Sequence, residues 1–376
     1  MRVLVLNPGS SSLKVSVLEP PGRDALVSVV VDWGADATRS SGPASAVHAV
    51  DAALGAAGVS MASIHAVGYR VVHGGTKFTK PTVIRESVIG AIEELATLAP
   101  LHNRIAAQTI RAFAQRLPSI PHVATFDTAF HTSLPPAGYR YPVPGEWFQS
   151  WGVRRFGFHG LSVAWSVQRA TELLDRPIDD LRLVVAHLGS GCSVTAVDSG
   201  LSVDTSMGMT PLEGLMMGSR AGSVDPGVLL DLLRHGRLTL SELTDTLDHQ
   251  SGLLGVSGTS ADVRDLLIAE AGGDDAAELA LELFVRRAAA GIASSATALP
   301  ALDAIVFTGG IGEHSGPMRA RIVDRLTVLG IHEIVDDDVR DDAILSGPQL
   351  RPAVLRVAAR EDVVIALAVR DVLETG

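Results

Sequence analysis

Apolar and polar positions alternate at the start of the chain in VLVLNPGSSSLKVSVLE, from Val3 to Glu19. An apolar run, a Gly/Ser turn and a second alternating run together predict a β-hairpin. The same pattern returns in LVVAHLGSGCSVTAVDSG, from Leu183 to Gly200. In that echo Asn7 falls opposite His187, Gly9 opposite Gly189 and Ser10 opposite Ser190. Strand–turn–strand is a common unit, so duplication is supported chiefly by the elements downstream of each copy. After the first hairpin the pattern predicts strands at Val27 to Val31 and His65 to Val72. Helices are then expected at Glu86 to Ala99 and Arg104 to Arg116, before a buried strand, HVATFD, ending at Asp127. After the second come a strand at Leu201 to Val203 and helices near Pro226 to Leu233, Ser241 to Asp248, Ala261 to Ala271 and Asp275 to Ala298. A buried strand, AIVFTGG, a helix from Gly316 to Leu329, a strand from Val354 to Ala358 and a helix from Glu361 to Leu373 complete the series.

Strands followed by alternating strands and helices predict an α/β protein of two mixed domains. The boundary is expected within Pro135 to Gly160, which concentrates proline, glycine and much of the scarce aromatic content. We therefore expect an N-terminal domain over 1–150 and a C-terminal, nucleotide-binding domain over 151–376, with the last helix returning to the first domain. Ligands favour the space beyond the carboxyl ends of strands. Asn7, Asp127, His187 and Gly309 all sit where strands are predicted to end.

Composition narrows the classes. The 376 residues suit two domains, and a net charge of −11 argues against a nucleic-acid partner. No run is apolar enough to span a membrane and no leader pattern opens the chain, so no membrane partner is expected. The single cysteine, Cys192, fits a reducing cytoplasm. Lysine occurs only at Lys14, Lys77 and Lys80 in a chain otherwise rich in arginine, which singles out Lys14 beside the first glycine turn.

Three glycine-rich turns stand at strand ends: NPGSSSLK, HLGSG and GGIGE. Their backbone N–H groups and hydroxyls suit a nucleotide phosphate tail, although none has the spacing of a P-loop or dinucleotide fold. The stretch DTSMGMTPLEGLMMGSRAGSVDP, from Asp204 to Pro226, sets Arg220 among Gly208, Gly214, Gly218 and Gly222. A guanidinium fork in so pliant and apolar a segment suits an anion held in a cleft. Arg70 and His73 in GYRVVHGG, His102 in APLHN and His159 in RRFGFHG add further cations and imidazoles. Together they suit a phosphoryl group in transfer, which needs positioning and electrostatic stabilisation. It also needs Mg2+ on oxygen donors, for which Asn7, Asp127 and Glu361 are candidates.

These segments, with FDTAFH, SADVRDL, FTGGIGE and REDVVIA, resemble the acetate kinase family in order and spacing from Val3 to Ala366. The resemblance implies two duplicated ribonuclease-H-like (actin-like ATPase) domains of mixed sheets flanked by helices, with the active site in the interdomain cleft, in a cytoplasmic homodimer. It implies reversible transfer between ATP and acetate, giving acetyl phosphate and ADP, with Mg2+ and with Mn2+ as a substitute. By the same resemblance Arg70 and Arg220 clamp acetate and the transferring phosphoryl group. His159 stabilises its charge, and Asn7 and Glu361 hold the metal. Lys14, His187, Leu188, Gly189, Ser190, Gly191, Asp262, Val263, Arg264, Gly310, Ile311, Gly312 and Glu313 contact the nucleotide. Val72, Leu101, Phe158 and Pro211 receive the acyl methyl group.

Asp127 matches the residue usually labelled acid/base. Acetate is already ionised at neutral pH, so an orienting role for Asp127 is the better expectation. The chain departs from the family pattern at Ser190, Ser219, Val163, Ala221 and Ser223. Those changes leave open a propionate- or butyrate-type kinase, and a regulatory nucleotide-binding relative that has lost turnover.

Overall fold

The computed structural model describes residues 1–9, 12–32, 41–332, 334–335, 341–347 and 350–375. Ser10, half of one expected correspondence, lies outside them, as does the side chain of Leu101. The chain forms two compact units. One comprises Met1–Thr132, Phe158–Leu161 and Arg360–Gly376; the other comprises Ser133–Gly157 and Ser162–Ala359. Position 150, the expected boundary, lies inside the second unit, and the C-terminal helix belongs to the first.

The first unit carries a six-stranded sheet: β1 (Val3–Pro8), β2 (Ser12–Leu18), β3 (Ala25–Asp32), β4 (Ala66–Val71), β5 (Thr82–Val83) and β6 (His122–Phe126), in the order β3-β2-β1-β4-β6-β5. β1, β4 and β6 run parallel and the others antiparallel. Parallel strands covered on both faces require apolar side chains throughout, and β6 is buried at every position. At the edge, β3 alternates between exposed and more buried positions. Helix Glu361–Thr375 packs on β1 and β4 through Val363, Ile365, Ala366 and Val369, and each of the larger side chains contributes about 1.5–3 kcal/mol. Gly68 permits that approach, because a Cβ there would stand 2.5 Å from the Ile365 methyl.

The second unit repeats the wiring with β7 (Arg182–Leu188), β8 (Cys192–Asp198), β9 (Leu201–Thr205), β10 (Ala304–Thr308), β11 (Ala343–Ile344) and β12 (Ala353–Arg356). Its order is β11-β12-β10-β7-β8-β9, with β7, β10 and β12 parallel. Asn7 and His187 occupy the same place, next to last in the first strand of each sheet. The hairpin echo is thus matched by an echo in topology.

Several element limits differ from the sequence pattern. The helix expected over Glu86 to Ala99 ends at Glu94 and tightens into a 3-10 turn, Leu95–Thr97. Proline at 100 drives Ala99 out of the helical region (φ −143°, ψ 65°) and opens the next helix, Pro100–Arg116, four residues early. Helix Gly316–Asp324 likewise stops before Leu329. Helices Ser41–Ala56, Gly145–Trp151, Gly160–Leu174 and Gly309–His314 were not apparent from periodicity. Their glycines and small residues blur the apolar stripe on which such a reading depends.

Candidate active site

Residues far apart in sequence meet at the ends of the first sheet's parallel strands. Arg70, from β4, donates through Nε to both Asp127 oxygens at 3.0 and 3.1 Å and through Nη2 to Oδ2 at 2.5 Å. Its Nη1 donates to Asn7 Oδ1 at 3.3 Å, and Asn7 Nδ2 donates to Glu361 Oε2 at 2.6 Å. Glu361 Oε2 lies 3.5 Å from Arg70 Nε. Asp127 is fully buried, whereas Arg70 and Glu361 keep 15% and 14% of their side chains exposed. Arg70 and Glu361 thus keep some surface open, and Asp127 keeps none.

Burial pushes the Asp127 carboxyl up to about 6; Glu361 adds to that shift and Arg70 opposes it. Burial acts to lower the Arg70 pKa, but Asp127 and Glu361 more than offset it and hold the guanidinium above its ordinary value. The pair is therefore ionised at neutral pH.

The RRFGFHG segment brings His159 to this cluster. The His159 backbone N–H donates to the Asp127 carboxylate, and His159 holds a left-handed φ of 57°, a conformation that is costly for a residue with a Cβ. Gly160 has no alternative, since a Cβ would overlap the Asp127 carbonyl and stand 2.7 Å from the Phe130 Cβ. Behind the loop, His131 Nε2 lies 2.9 Å from the Phe158 carbonyl. Burial lowers the His131 pKa to about 4, so a neutral ring donates that bond. His73, expected among the charges around the phosphoryl group, is instead part of the frame. Its Nδ1 accepts from Gly75 N–H at 2.9 Å, its backbone exchanges hydrogen bonds with Asn103, and its ring meets Phe158 edge-on. Val72 and Phe158 are buried at 6% and 1% exposure. Sequence reasoning missed His131 and Asn103 as supports; only FDTAFH and APLHN pointed towards them.

In the second unit the glycine turns adjoin. Gly189 N–H donates to Gly191 O at 3.1 Å, and a Cβ on Gly189 would lie 3.6 Å from Gly310 N. Gly309, at φ 78°, packs its backbone against Leu188 and starts the helix that continues through Gly310, Ile311 and Gly312. Gly218 N–H donates to Ser190 O at 3.3 Å, and a Cβ on Gly218 would stand 3.2 Å from Ala261 O. The segments 187–191, 217–220, 261–264 and 309–313 thus adjoin as one backbone belt.

Within that belt, His187 Nδ1 lies 2.9 Å from Ser162 Oγ. Asp262 caps helix Val263–Ala271 through Arg264 N–H and grips the Arg264 guanidinium. Glu313 Oε1 accepts from the Gly309 and Ala359 N–H groups, both at 2.9 Å, so its carboxylate braces the turn. Arg220 donates to the Pro211 carbonyl at 3.4 Å; burial lowers its pKa and Asp248 opposes the shift. Lys14 is exposed on β2, paired with Asn7 across the first hairpin. Of the departures, Val163 is wholly buried, Ser219 Oγ donates to Asp248 O, and Ser223 Oγ accepts from Gly214 N–H.

Two sheets of one topology, each with a glycine directly after its first strand, define the duplicated α/β class of the actin-like ATPases. Residues 2–367 match the model of the acetokinase family. The chain belongs to that family and is a kinase. It is 44% identical over 393 aligned positions to the acetate kinase of Deinococcus radiodurans, covering 97% of this chain and 96% of that protein. Among solved structures it is similar to acetate kinase from Porphyromonas gingivalis, with TM-score 0.87, 35% identity and 99% of each chain covered. It is also similar to a propionate kinase from Francisella tularensis, with TM-score 0.87, 33% identity and 98% of each chain covered. Among the described residues no helix is long and apolar enough to cross a membrane.

Proposed function

We propose that the protein catalyses reversible phosphoryl transfer between ATP and acetate, giving ADP and acetyl phosphate. The observation that carries this reading is the Arg70–Asp127 pair: a guanidinium fixed from behind by a dry carboxylate, with part of its surface left to an incoming anion. Acetate arrives ionised, so its oxygen attacks without losing a proton and no general base is required. Arg70 orients the acceptor, and Arg220 and His159 neutralise charge on the phosphoryl oxygens as transfer proceeds. Asp127 is a positioning residue. Val72, Leu101, Phe158 and Pro211 are assigned to acyl recognition, and the belt containing His187–Gly191 and Gly310–Glu313 to the nucleotide, with Lys14, Asp262, Val263 and Arg264.

An amide and a carboxylate, Asn7 and Glu361, meet through a 2.6 Å hydrogen bond. This small, oxygen-bearing set fits Mg2+, which keeps several waters and binds largely through substrate phosphates. Asn7 and Glu361 would hold the ion, with Mn2+ as a substitute. When bound, it supplies charge neutralisation at the phosphate oxygens.

A cytoplasmic homodimer is part of this reading. Helix Pro226–Arg234 buries none of its residues within the chain, and its Val228 and Leu230 are 48% and 57% exposed. Such a patch suits a second copy.

ADP formation from Mg-ATP with acetate, propionate and butyrate tests the proposal, with Arg220→Ala as control. Acetate should be the best acceptor, and Arg220→Ala should lower kcat far more than it raises the KM for ATP. Turnover with no acid, or equal losses of kcat and ATP affinity in Arg220→Ala, would overturn it.

A further inference from the structure

Three side chains outside the assigned site converge on one turn of the second unit. Tyr141 Oη donates to Glu213 Oε2, and Arg155 Nη2 donates to Glu213 Oε1 at 2.8 Å. Arg155 Nη1 reaches the Ser206 carbonyl at 2.8 Å, while Tyr141 Oη accepts from Met209 N–H at 3.0 Å. Between those anchors Gly208 has no room for a side chain, because a Cβ would overlap both Glu213 Oε2 and Tyr141 Oη. The Gly208 carbonyl accepts from Phe156 and Gly157 N–H at 3.0 and 3.4 Å.

The triad is largely shielded: the Arg155 and Glu213 side chains are 18% and 33% exposed. Burial and the adjoining Glu213 raise the Tyr141 phenol above its ordinary value, so it stays a donor. Hydrogen bonds to ionised groups are among the stronger ones. Here Arg155 holds Ser206 directly, and the Tyr141 phenol, itself bound to Glu213, holds Met209, in a segment without helix or strand beyond Thr205. Two residues on stands Pro211, whose carbonyl is the only hydrogen-bond acceptor of the Arg220 guanidinium among the described residues.

We propose that Tyr141, Glu213 and Arg155 are positioning residues for phosphoryl transfer: they fix the Ser206–Pro211 turn and, through the Pro211 carbonyl, aim Arg220. The proposal rests on the reading of Arg220 as the phosphoryl clamp and of Pro211 as an acyl contact. The triad touches no reacting atom. It sets where Arg220 stands before substrate arrives, which is the preorganisation that electrostatic catalysis requires.

The test is a double-mutant cycle on the full chain: wild type, Tyr141→Phe, Arg220→Ala and the double variant, with kcat and both KM values measured alongside thermal melting. Tyr141→Phe keeps the ring and loses the hydroxyl. It should lower kcat/KM for acetate by about tenfold or more and leave the KM for ATP within about twofold. In the Arg220→Ala background the same change should cost less than about twofold, because the partner it acts through is gone. Arg155→Lys, which keeps the charge and loses the fork, should show the same coupling and serves as the second variant if Tyr141→Phe does not fold. Additive losses, or unchanged acetate kinetics in correctly folded variants, would overturn the positioning role while leaving the kinase reading intact. A wild type that phosphorylates no acid would remove the functional reading and this proposal with it.

Discussion

Asp127 holds Arg70 with both carboxylate oxygens from a place fully closed to solvent. A buried carboxylate bound to a guanidinium through both oxygens fixes where that guanidinium points. Asp127→Asn preserves shape and removes the charge. We expect kcat to fall by about 10²-fold or more, with the KM for ATP within about twofold, as read from steady-state kinetics with acetate and ATP varied separately.

Activity should fall on the acid side with a midpoint near pH 6, because burial pushes the Asp127 carboxyl up to about 6 and its protonation releases Arg70. Stability moves the other way. The folded pKa exceeds the ordinary value, so the folded state binds the extra proton between about pH 4 and pH 6. This group's contribution is present below that window and lost as pH rises through it. Melting curves of wild type minus Asp127→Asn should show that slope, and the acid limb of kcat should be absent from the variant.

His131 carries the opposite sign. Its folded pKa is depressed to about 4 by burial, so its contribution is present above the unfolded value near 6.5 and is lost as pH falls towards 4. His131→Ala would also leave the Phe158 carbonyl without this donor, at a cost of about 1–3 kcal/mol. We expect a lower melting temperature, a shallower acid loss of stability and reduced kcat, since His159 comes directly after Phe158 in the chain.

Gly160→Ala should be among the most damaging single-methyl additions. The new Cβ would overlap the Asp127 carbonyl and press on Phe130, displacing the residue whose carboxylate holds Arg70. A loss of at least about 3 kcal/mol is expected, visible as a reduced yield of folded protein and a sharply lower melting temperature.

Ser190 offers a gain. The family resemblance implies asparagine there, and Ser190 is exposed on the turn between β7 and β8, so a longer side chain has room. One added hydrogen bond is worth about 0.5–1.5 kcal/mol. Ser190→Asn should therefore lower the KM for ATP by about two- to tenfold without altering melting.

Much of the scaffold was legible because its signals are local. Apolar alternation marked both hairpins, and short, mostly apolar runs marked β6 and β10, which are buried at every position. Motif resemblance named Asn7, Arg70, Asp127 and Glu361 as candidates, and these side chains meet although Asn7 and Glu361 stand 354 positions apart. Tyr141 and Glu213 are 72 positions apart and obey no periodicity, so no pattern in the chain linked them. Helix Gly309–His314 was hidden in the same way, since glycines that begin a helix look like a turn until Gly309 is seen against Leu188.

By itself the sequence determined that the chain would build two like-wired α/β units with glycine turns at strand ends. Alternation, proline and glycine act within a few residues, and their consequences can be read where they stand. Only the tertiary structure decided that Asp127 is dry, that His73 and His131 are framework, and that Tyr141, Arg155 and Glu213 share one turn. Charge pairing and proton affinity depend on distance and on the exclusion of water, and both are set by residues that meet only when the chain has folded.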